Sequence, residues 1–175
     1  MSVQKRTFIP VHIAILTVSD SRTAATDKSG DLLVNRLTNS GHLLADRSIA
    51  KDNIDHIRDI VSTWVKNPEI QTVITTGGTG VTGFDGTPEA LIPLFDKELY
   101  GFGEMFRSLS FDEIGTSALQ SRATAGVTNG TYLFCLPGSS NACATAWDKI
   151  LRFQLDYRTR PCNLVELMPR LLEHL

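Results

Sequence analysis

One rhythm constrains this chain before anything else: short β-branched apolar runs, each feeding a polar or glycine-rich loop and then a helix with one apolar stripe. His12-Ile13-Ala14-Ile15-Leu16-Thr17-Val18 does not alternate polar with apolar, so it reads as a strand buried on both faces. A polar loop, Ser19 to Asp27, follows. From Ser29 to Ser40 the positions Leu32, Leu33, Val34 and Leu37 recur at helical spacing, and Gly41 stands where a helix would stop. Leu43 to Ala50 reads as a second strand. Ile54, Ile57, Ile60, Val61, Trp64 and Val65 make a helical stripe entered through Lys51-Asp52-Asn53 and ended before Pro68. Thr72 to Thr75 is a third strand. Behind it lies a glycine-rich loop, after which Thr87 is expected to cap a helix with Pro88 at its first position. The register then loosens through Gly101, Phe102, Gly103, Phe106 and Phe111. A turn at Thr128-Asn129-Gly130 leads to a strand from Thr131 to Leu136, and Pro137-Gly138-Ser139-Ser140 opens the last long helix, with Ala142, Ala146, Trp147, Ile150 and Leu151 on one side.

Parallel strands joined by helices predict an α/β three-layer sandwich around a mostly parallel sheet, with ligands at the carboxyl ends of the strands. Three loops fall there: 19 to 30, 77 to 87 and 137 to 140. The 175 residues suit one domain spanning 1–175, with a tail of about 156–175 packing on that domain or on a neighbouring subunit. A formal charge of -2 and no run of Lys or Arg argue against a broad grip on nucleic acid. The polar start MSVQKRTFIP and the shortness of Val11 to Val18 argue against a signal sequence or a membrane span. Cys135, Cys143 and Cys162 are odd in number and widely spaced, which supports neither a disulfide framework nor a zinc site and fits a reducing, cytoplasmic setting. The histidines at 12, 42, 56 and 174 show no ligand spacing.

The glycine-rich loop invites two familiar readings, and neither fits. Gly78-Thr79-Gly80-Val81-Thr82-Gly83 matches the dinucleotide fingerprint, but Phe84, Asp85 and Gly86 intervene before the helix starts. The ribose-binding acid would end a strand about twenty residues on, where the chain reads Lys97-Glu98-Leu99-Tyr100-Gly101, which does not read as a strand end. A phosphate loop of the Walker type would carry Lys and Ser or Thr after Gly83, not Phe84-Asp85. A plain turn remains, yet four glycines between Gly77 and Gly83 are entropically costly unless they permit close approach to something. Spare backbone N–H groups beside a helix start favour an anion.

Thr76-Gly77-Gly78-Thr79-Gly80, Asp85, Thr87-Pro88-Glu89-Ala90, then Gly101-Phe102-Gly103-Glu104-Met105-Phe106-Arg107 and Leu136-Pro137-Gly138-Ser139 resemble the MoaB/MogA family of molybdenum cofactor biosynthesis proteins. The likeness runs from Leu16-Thr17-Val18-Ser19-Asp20 to the end of the last long helix. The stretch Ser108 to Ser117 and the tail Arg158-Thr159-Arg160-Pro161-Cys162-Asn163 are similar to the MoaB branch. The resemblance implies a MogA-like fold assembling as a trimer or hexamer, and binding of molybdopterin, a pterin dithiolene with a terminal phosphate. In active members it also implies adenylylation of molybdopterin by Mg-ATP. By position, Asp85 matches the motif acid and Asp52 a second acid before a helix, both associated in active relatives with Mg²⁺ and the transferring phosphoryl group. The alternative from another class is a non-catalytic carrier or a partner of other cofactor-assembly proteins. A nicotinamide enzyme comes last.

The residues agree with that chemistry. A phosphate monoester is already an anion, so no Ser, Cys or His nucleophile has to be activated. The site has instead to bring two polyanions together with metal, backbone N–H groups and cations. Gly77, Gly78, Thr79, Gly80, Pro137, Gly138, Ser139 and Ser140 are the expected phosphate contacts, and Ser19, Asp20, Asp27 and Ser29 the candidate pterin-side contacts. Asp52 also reads as a helix cap, Asp85 as a turn residue, and Asp27, Ser29 and Ser139 as caps. Arg107 and Arg122 are the first cations to consider. Phe84 stands where active members often carry Arg. Phe102, Phe106, Leu109 and Phe111, with Leu164, Val165, Leu167, Met168, Leu171 and Leu172 of the tail, read as core or subunit interface.

Overall fold

The structure, a computed structural model, describes residues 6–173; His174 and the start from Met1 to Lys5 lie outside them. Six strands form one sheet: β1 (His12–Val18), β2 (Leu43–Ala50), β3 (Thr72–Thr76), β4 (Lys97–Glu98), β5 (Thr124–Thr128) and β6 (Thr131–Leu136), in the order β2-β1-β3-β6-β5-β4. The first four in that order are mutually parallel, and β5 and β4 are added antiparallel. The helices are α1 (Lys28–Asn39), α2 (Ile54–Trp64), α3 (Thr87–Leu91), α4 (Tyr100–Ile114), α5 (Ser140–Ala146) and α6 (Arg152–Gln154), with a π turn at Trp147–Leu151 joining the last two.

The continuous burial of β1 follows from having a helical layer on each side. Ile13 and Ile15 join Leu33, Leu37, Phe102, Phe106 and Trp147 on one face, whereas Ala14, Leu16 and Val18 join Ile57, Val61, Ala90 and Leu91 on the other. These two cores on opposite faces of one sheet make the three-layer sandwich, and the central strands β1, β3 and β6 serve both because successive side chains point to opposite faces. The tail packs onto the first core through Leu164, Val165, Met168 and Leu171, and Tyr132 Oη donates to the Leu164 carbonyl, 3.1 Å.

Four details depart from the sequence reading. Lys97–Glu98 is a strand after all, two residues long and paired to Val127 and Gly126. It lies at the antiparallel edge of the sheet, so it does not restore a dinucleotide site, whose acid belongs beside the loop. The loosened stretch is a regular helix of 15 residues, α4. Gly103 obscured it, and it is a glycine for packing: a Cβ there would lie 2.6 Å from the Ala123 carbonyl oxygen. β5 had no signal of its own, although the turn after it did; Asn129 and Gly130 both have positive φ, 48° and 78°, as a two-residue hairpin requires. Finally, Gly86 and not Thr87 is the N-cap of α3, Thr87 is its first residue, and Pro88 is second.

Candidate functional site

The carboxyl ends of β1, β3 and β6 stand side by side, where the chain leaves β1 toward β2 on one side and β3 lies on the other. That is the switch point at which such sheets hold ligands. Their three loops are laced together by short contacts. Gly77 N donates to the Leu136 carbonyl at 3.0 Å, and Thr76 Oγ1 to the Pro137 carbonyl at 2.9 Å. A Cβ on Gly77 would lie 2.1 Å from the Val18 carbonyl oxygen, so the two strand ends approach this closely only with glycine there. Gly78 has φ 63°, and a Cβ on it would meet Thr87 Oγ1 at 2.3 Å and Asp52 Oδ2 at 2.5 Å. The turn is held from beneath, since Thr87 Oγ1 donates to the Gly77 carbonyl, 2.8 Å, and Thr87 N to that of Gly78, 2.9 Å. Among the described residues the N–H groups of Gly78 and Thr79 have no acceptor.

A cleft of about 550 Å³ opens over these loops, lined by Ser19 and Arg22, by Gly77 to Gly80 and Asp85, and by Pro137, Gly138 and Ser139. Its remaining wall comes from α4 and the turn after it, through Phe106, Ser110, Ile114, Ser117 and Gln120. Ser139 caps α5, accepting from Ala142 N at 3.1 Å, so that helix start faces the cleft. The start of α3 does not serve an anion: its N-cap amide, Gly86 N, donates to Asp52 Oδ1 at 3.0 Å, and a carboxylate already occupies that positive end.

The first loop is preorganised by its own hydroxyls. Ser19 Oγ accepts from Arg22 N at 3.2 Å and from Ser21 N at 3.3 Å, and Thr26 Oγ1 accepts from Thr23 N at 2.9 Å. Its far end is anchored by Asp27, which is 1% exposed and accepts from Gly30 N, Thr17 Oγ1 and Arg47 Nη2 at 2.9, 2.8 and 2.7 Å. Burial pushes the Asp27 carboxyl up, but Arg47 and these donors outweigh it and hold it below the ordinary range.

The acids behave differently from one another. Burial is the main cause that raises the Asp52 carboxyl above its ordinary value, the Gly86 N–H opposes it, and the negative charges of Asp85, Asp20 and Glu89 add to it. Asp52 Oδ2 has no hydrogen-bond donor among the described residues. Asp85 is lowered, chiefly by the Thr82 hydroxyl, which donates to Oδ2 at 2.6 Å alongside Thr82 N at 2.8 Å. Arg122 grips the loop from outside. Its Nε donates to the carbonyls of Gly80, 2.7 Å, and Thr79, 3.3 Å, its Nη2 to that of Asp85, 2.7 Å, and its Nη1 pairs with Glu89. No group of three or more His, Cys, Asp or Glu suited to a metal occurs among the described residues, and no helix among them is long and apolar enough to cross a membrane.

A family profile described as "Probable molybdopterin binding domain" matches residues 14–157. The chain is 55% identical over 163 residues to molybdenum cofactor biosynthesis protein B of Escherichia coli (strain K12), spanning 93% of this chain and 96% of that protein. The chain belongs to the MoaB family. A crystal structure of molybdenum cofactor biosynthesis protein B matches it with a TM-score of 0.83 at 41% identity, covering 86% of this chain and 94% of that one. The tungsten cofactor synthesizing protein MoaB from Pyrococcus furiosus matches with a TM-score of 0.73 at 32% identity, covering 94% and 96%.

In this MoaB-family chain the structure brings Ser19, Gly77, Gly78, Thr79, Gly80, Asp85, Pro137, Gly138 and Ser139 onto one cleft. Asp52 sits behind the loop against Gly78, and Asp20 approaches it, with Oδ1 3.4 Å from Asp52 N. Asp52 is not the cap of α2, because Asn53 takes that part, accepting from His56 N at 2.9 Å. Ser29 is buried and donates to the Gly138 carbonyl at 3.1 Å, so it braces the loop beneath the cleft; the cap of α1 is Asp27. Ser140 is the first residue of α5, half-buried and off the lining. Arg107 donates to the Ala123 carbonyl and is off the lining as well. Arg22 and the α4 wall were missed, because only tertiary packing brings them to the strand ends.

Proposed function

We propose that this MoaB-family protein binds molybdopterin at the cleft, its terminal phosphate against the Gly78 and Thr79 amides and the start of α5, and adenylylates it with Mg-ATP. The observation that carries the reading is the pair of unpaired loop amides held open by glycines at the junction of three strand ends. In the reaction a terminal phosphate oxygen attacks the α-phosphorus of ATP, a new P–O bond forms, and the bond to the bridging oxygen breaks to release pyrophosphate. Asp52 and Asp85 suit a divalent cation: the raised Asp52 carboxyl lies in the field of other acids, and its Oδ2 is without a donor. Mg²⁺ takes one or two carboxylates together with phosphate oxygens and water, and would neutralise charge where the two phosphates meet. The chain's own part is to align the two anions and to exclude water with the α4 wall.

A second reading, a molybdopterin carrier without turnover, is favoured by one observation. Position 84, where active members often carry Arg, is a Phe that is 80% exposed, and the donors of nearby Arg122 are directed to carbonyls and Glu89. The experiment is a paired measurement of molybdopterin affinity and Mg-dependent pyrophosphate release for wild type and Asp85→Asn. Asn retains an oxygen for both Thr82 donors, so the loop keeps its shape while the charge is lost. The expected result is retained pterin binding with turnover down by roughly two to three powers of ten. Full turnover in the variant would refute the catalytic role, and no turnover in wild type that still binds pterin would establish the carrier.

A further inference from the structure

Among the described residues, one lysine or arginine lines the cleft, and it is neither of the arginines singled out from the sequence. Arg122 spends its guanidinium on the carbonyls of residues 79, 80 and 85 and on Glu89, and Arg107 is turned to Ala123. Arg22 is different. Its Nη1 donates to the Thr26 carbonyl at 3.0 Å, and no acceptor among the described residues engages its Nε or Nη2. The backbone beneath it is held by the hydrogen bonds that Ser21 N and Arg22 N donate to Ser19 Oγ, and the loop is pinned at its end by the buried Asp27. The result is a guanidinium on a braced loop, one edge tied to its own turn and the other available. Arg22 lines the same cleft as Gly78 and Thr79.

We infer that Arg22 is the phosphate-binding cation of this cleft and supplies from the β1 loop the charge that Phe84 does not supply from the β3 loop. The inference rests on the functional reading above and adds to it a ligand chemistry for one residue, a phosphomonoester or diphosphate taken by the free edge of a guanidinium. A planar fork gives two parallel bonds to such a group, whereas an ammonium acts as a point charge. Arg22→Lys is therefore expected to recover only part of what Arg22→Gln loses. Because the guanidinium is exposed and its single bond is to a neighbour four residues away, neither change is expected to alter the fold.

The test uses inorganic pyrophosphate and, separately, molybdopterin, with wild type, Arg22→Gln, Arg22→Lys and Arg107→Gln, thermal unfolding being recorded for each. The expected result is a tenfold or greater loss of pyrophosphate affinity in Arg22→Gln, an intermediate loss in Arg22→Lys, and no change in Arg107→Gln. In wild type the Arg22 Nε–H resonance is expected to shift on addition of pyrophosphate, which a merely structural arginine would not show. Equal affinity in wild type and Arg22→Gln would overturn the inference and leave the molybdopterin reading standing. Pyrophosphate binding through Arg22 without any molybdopterin binding would support the inference and refute that reading. Failure of wild type to bind pyrophosphate at all would overturn the inference directly.

Discussion

Gly78 and Gly83 lie in one loop, five residues apart, and the structure gives them opposite prospects. Alanine at 78 has to adopt φ 63°, which costs about 1 to 2 kcal/mol for a residue with a Cβ. The same Cβ would press on Thr87 Oγ1 at 2.3 Å and Asp52 Oδ2 at 2.5 Å. Relieving such overlap adds about 1 to 3 kcal/mol, and it displaces the two side chains that hold Gly77 and Gly86. The expected loss is therefore about 2 to 5 kcal/mol out of a typical total of about 5 to 15. Alanine at 83 meets no heavy atom within 4 Å, and its backbone is not left-handed. It should be neutral or, by restricting the unfolded chain, stabilising by up to about 1 kcal/mol. Urea unfolding at a fixed protomer concentration reads both. With a slope of about 2 kcal/mol per molar, Gly78→Ala should lower the midpoint by about 1 to 2.5 M while Gly83→Ala leaves or raises it. Pyrophosphate affinity should fall only in the first. Equal midpoints for the two variants, or wild-type affinity in a folded Gly78→Ala, would show that the loop is an ordinary turn and that close approach is not why its glycines are there.

Stability should also depend on pH through His42, which is 3% exposed against Phe8 and Trp147 and accepts from Val11 N at 3.2 Å. Burial lowers its pKa from 6.5 to about 4, Asp156 opposing, so the unfolded chain binds the proton first; stability is complete above pH 6.5 and is lost as pH falls toward 4. The loss at pH 5 is about 2 kcal/mol, and a urea midpoint unchanged between pH 7 and pH 5 would refute it. Because Met105, Phe111, Ile114 and Leu119 leave apolar surface on and just after α4, the protein is expected to scatter light as a trimer or hexamer, and a one-chain mass at micromolar concentration would count against that.

How much of this was legible beforehand depends on how local the cause is. Continuous β-branched apolar runs and period-3.6 stripes are properties of neighbouring residues, and they revealed β1, α1, α2 and β6, hence the α/β class and three loops at the strand ends. The Asn129-Gly130 hairpin was legible for the same reason, since the backbone signs it needs are set by those two residues. β4 and β5 were not, because an edge pair of two residues and a short strand reading Thr124-Ala125-Gly126-Val127-Thr128 exist through cross-strand bonds that no local pattern records. α4 was hidden by Gly103, whose reason lies at Ala123.

The site divides along the same line. The sequence by itself determined that glycines, acids and a capped helix would gather at strand ends, because strands that share a parallel sheet put their following loops on one edge. Only the tertiary structure decided which acid caps a helix and which faces the loop: Asn53 satisfies α2 locally, and that frees Asp52 to reach Gly86, 34 positions away. It likewise decided that Arg122 is spent on carbonyls while Arg22 keeps an open edge. Both are arginines beside polar residues in the sequence, and they differ only in which acceptors packing sets within about 3 Å of their guanidinium nitrogens.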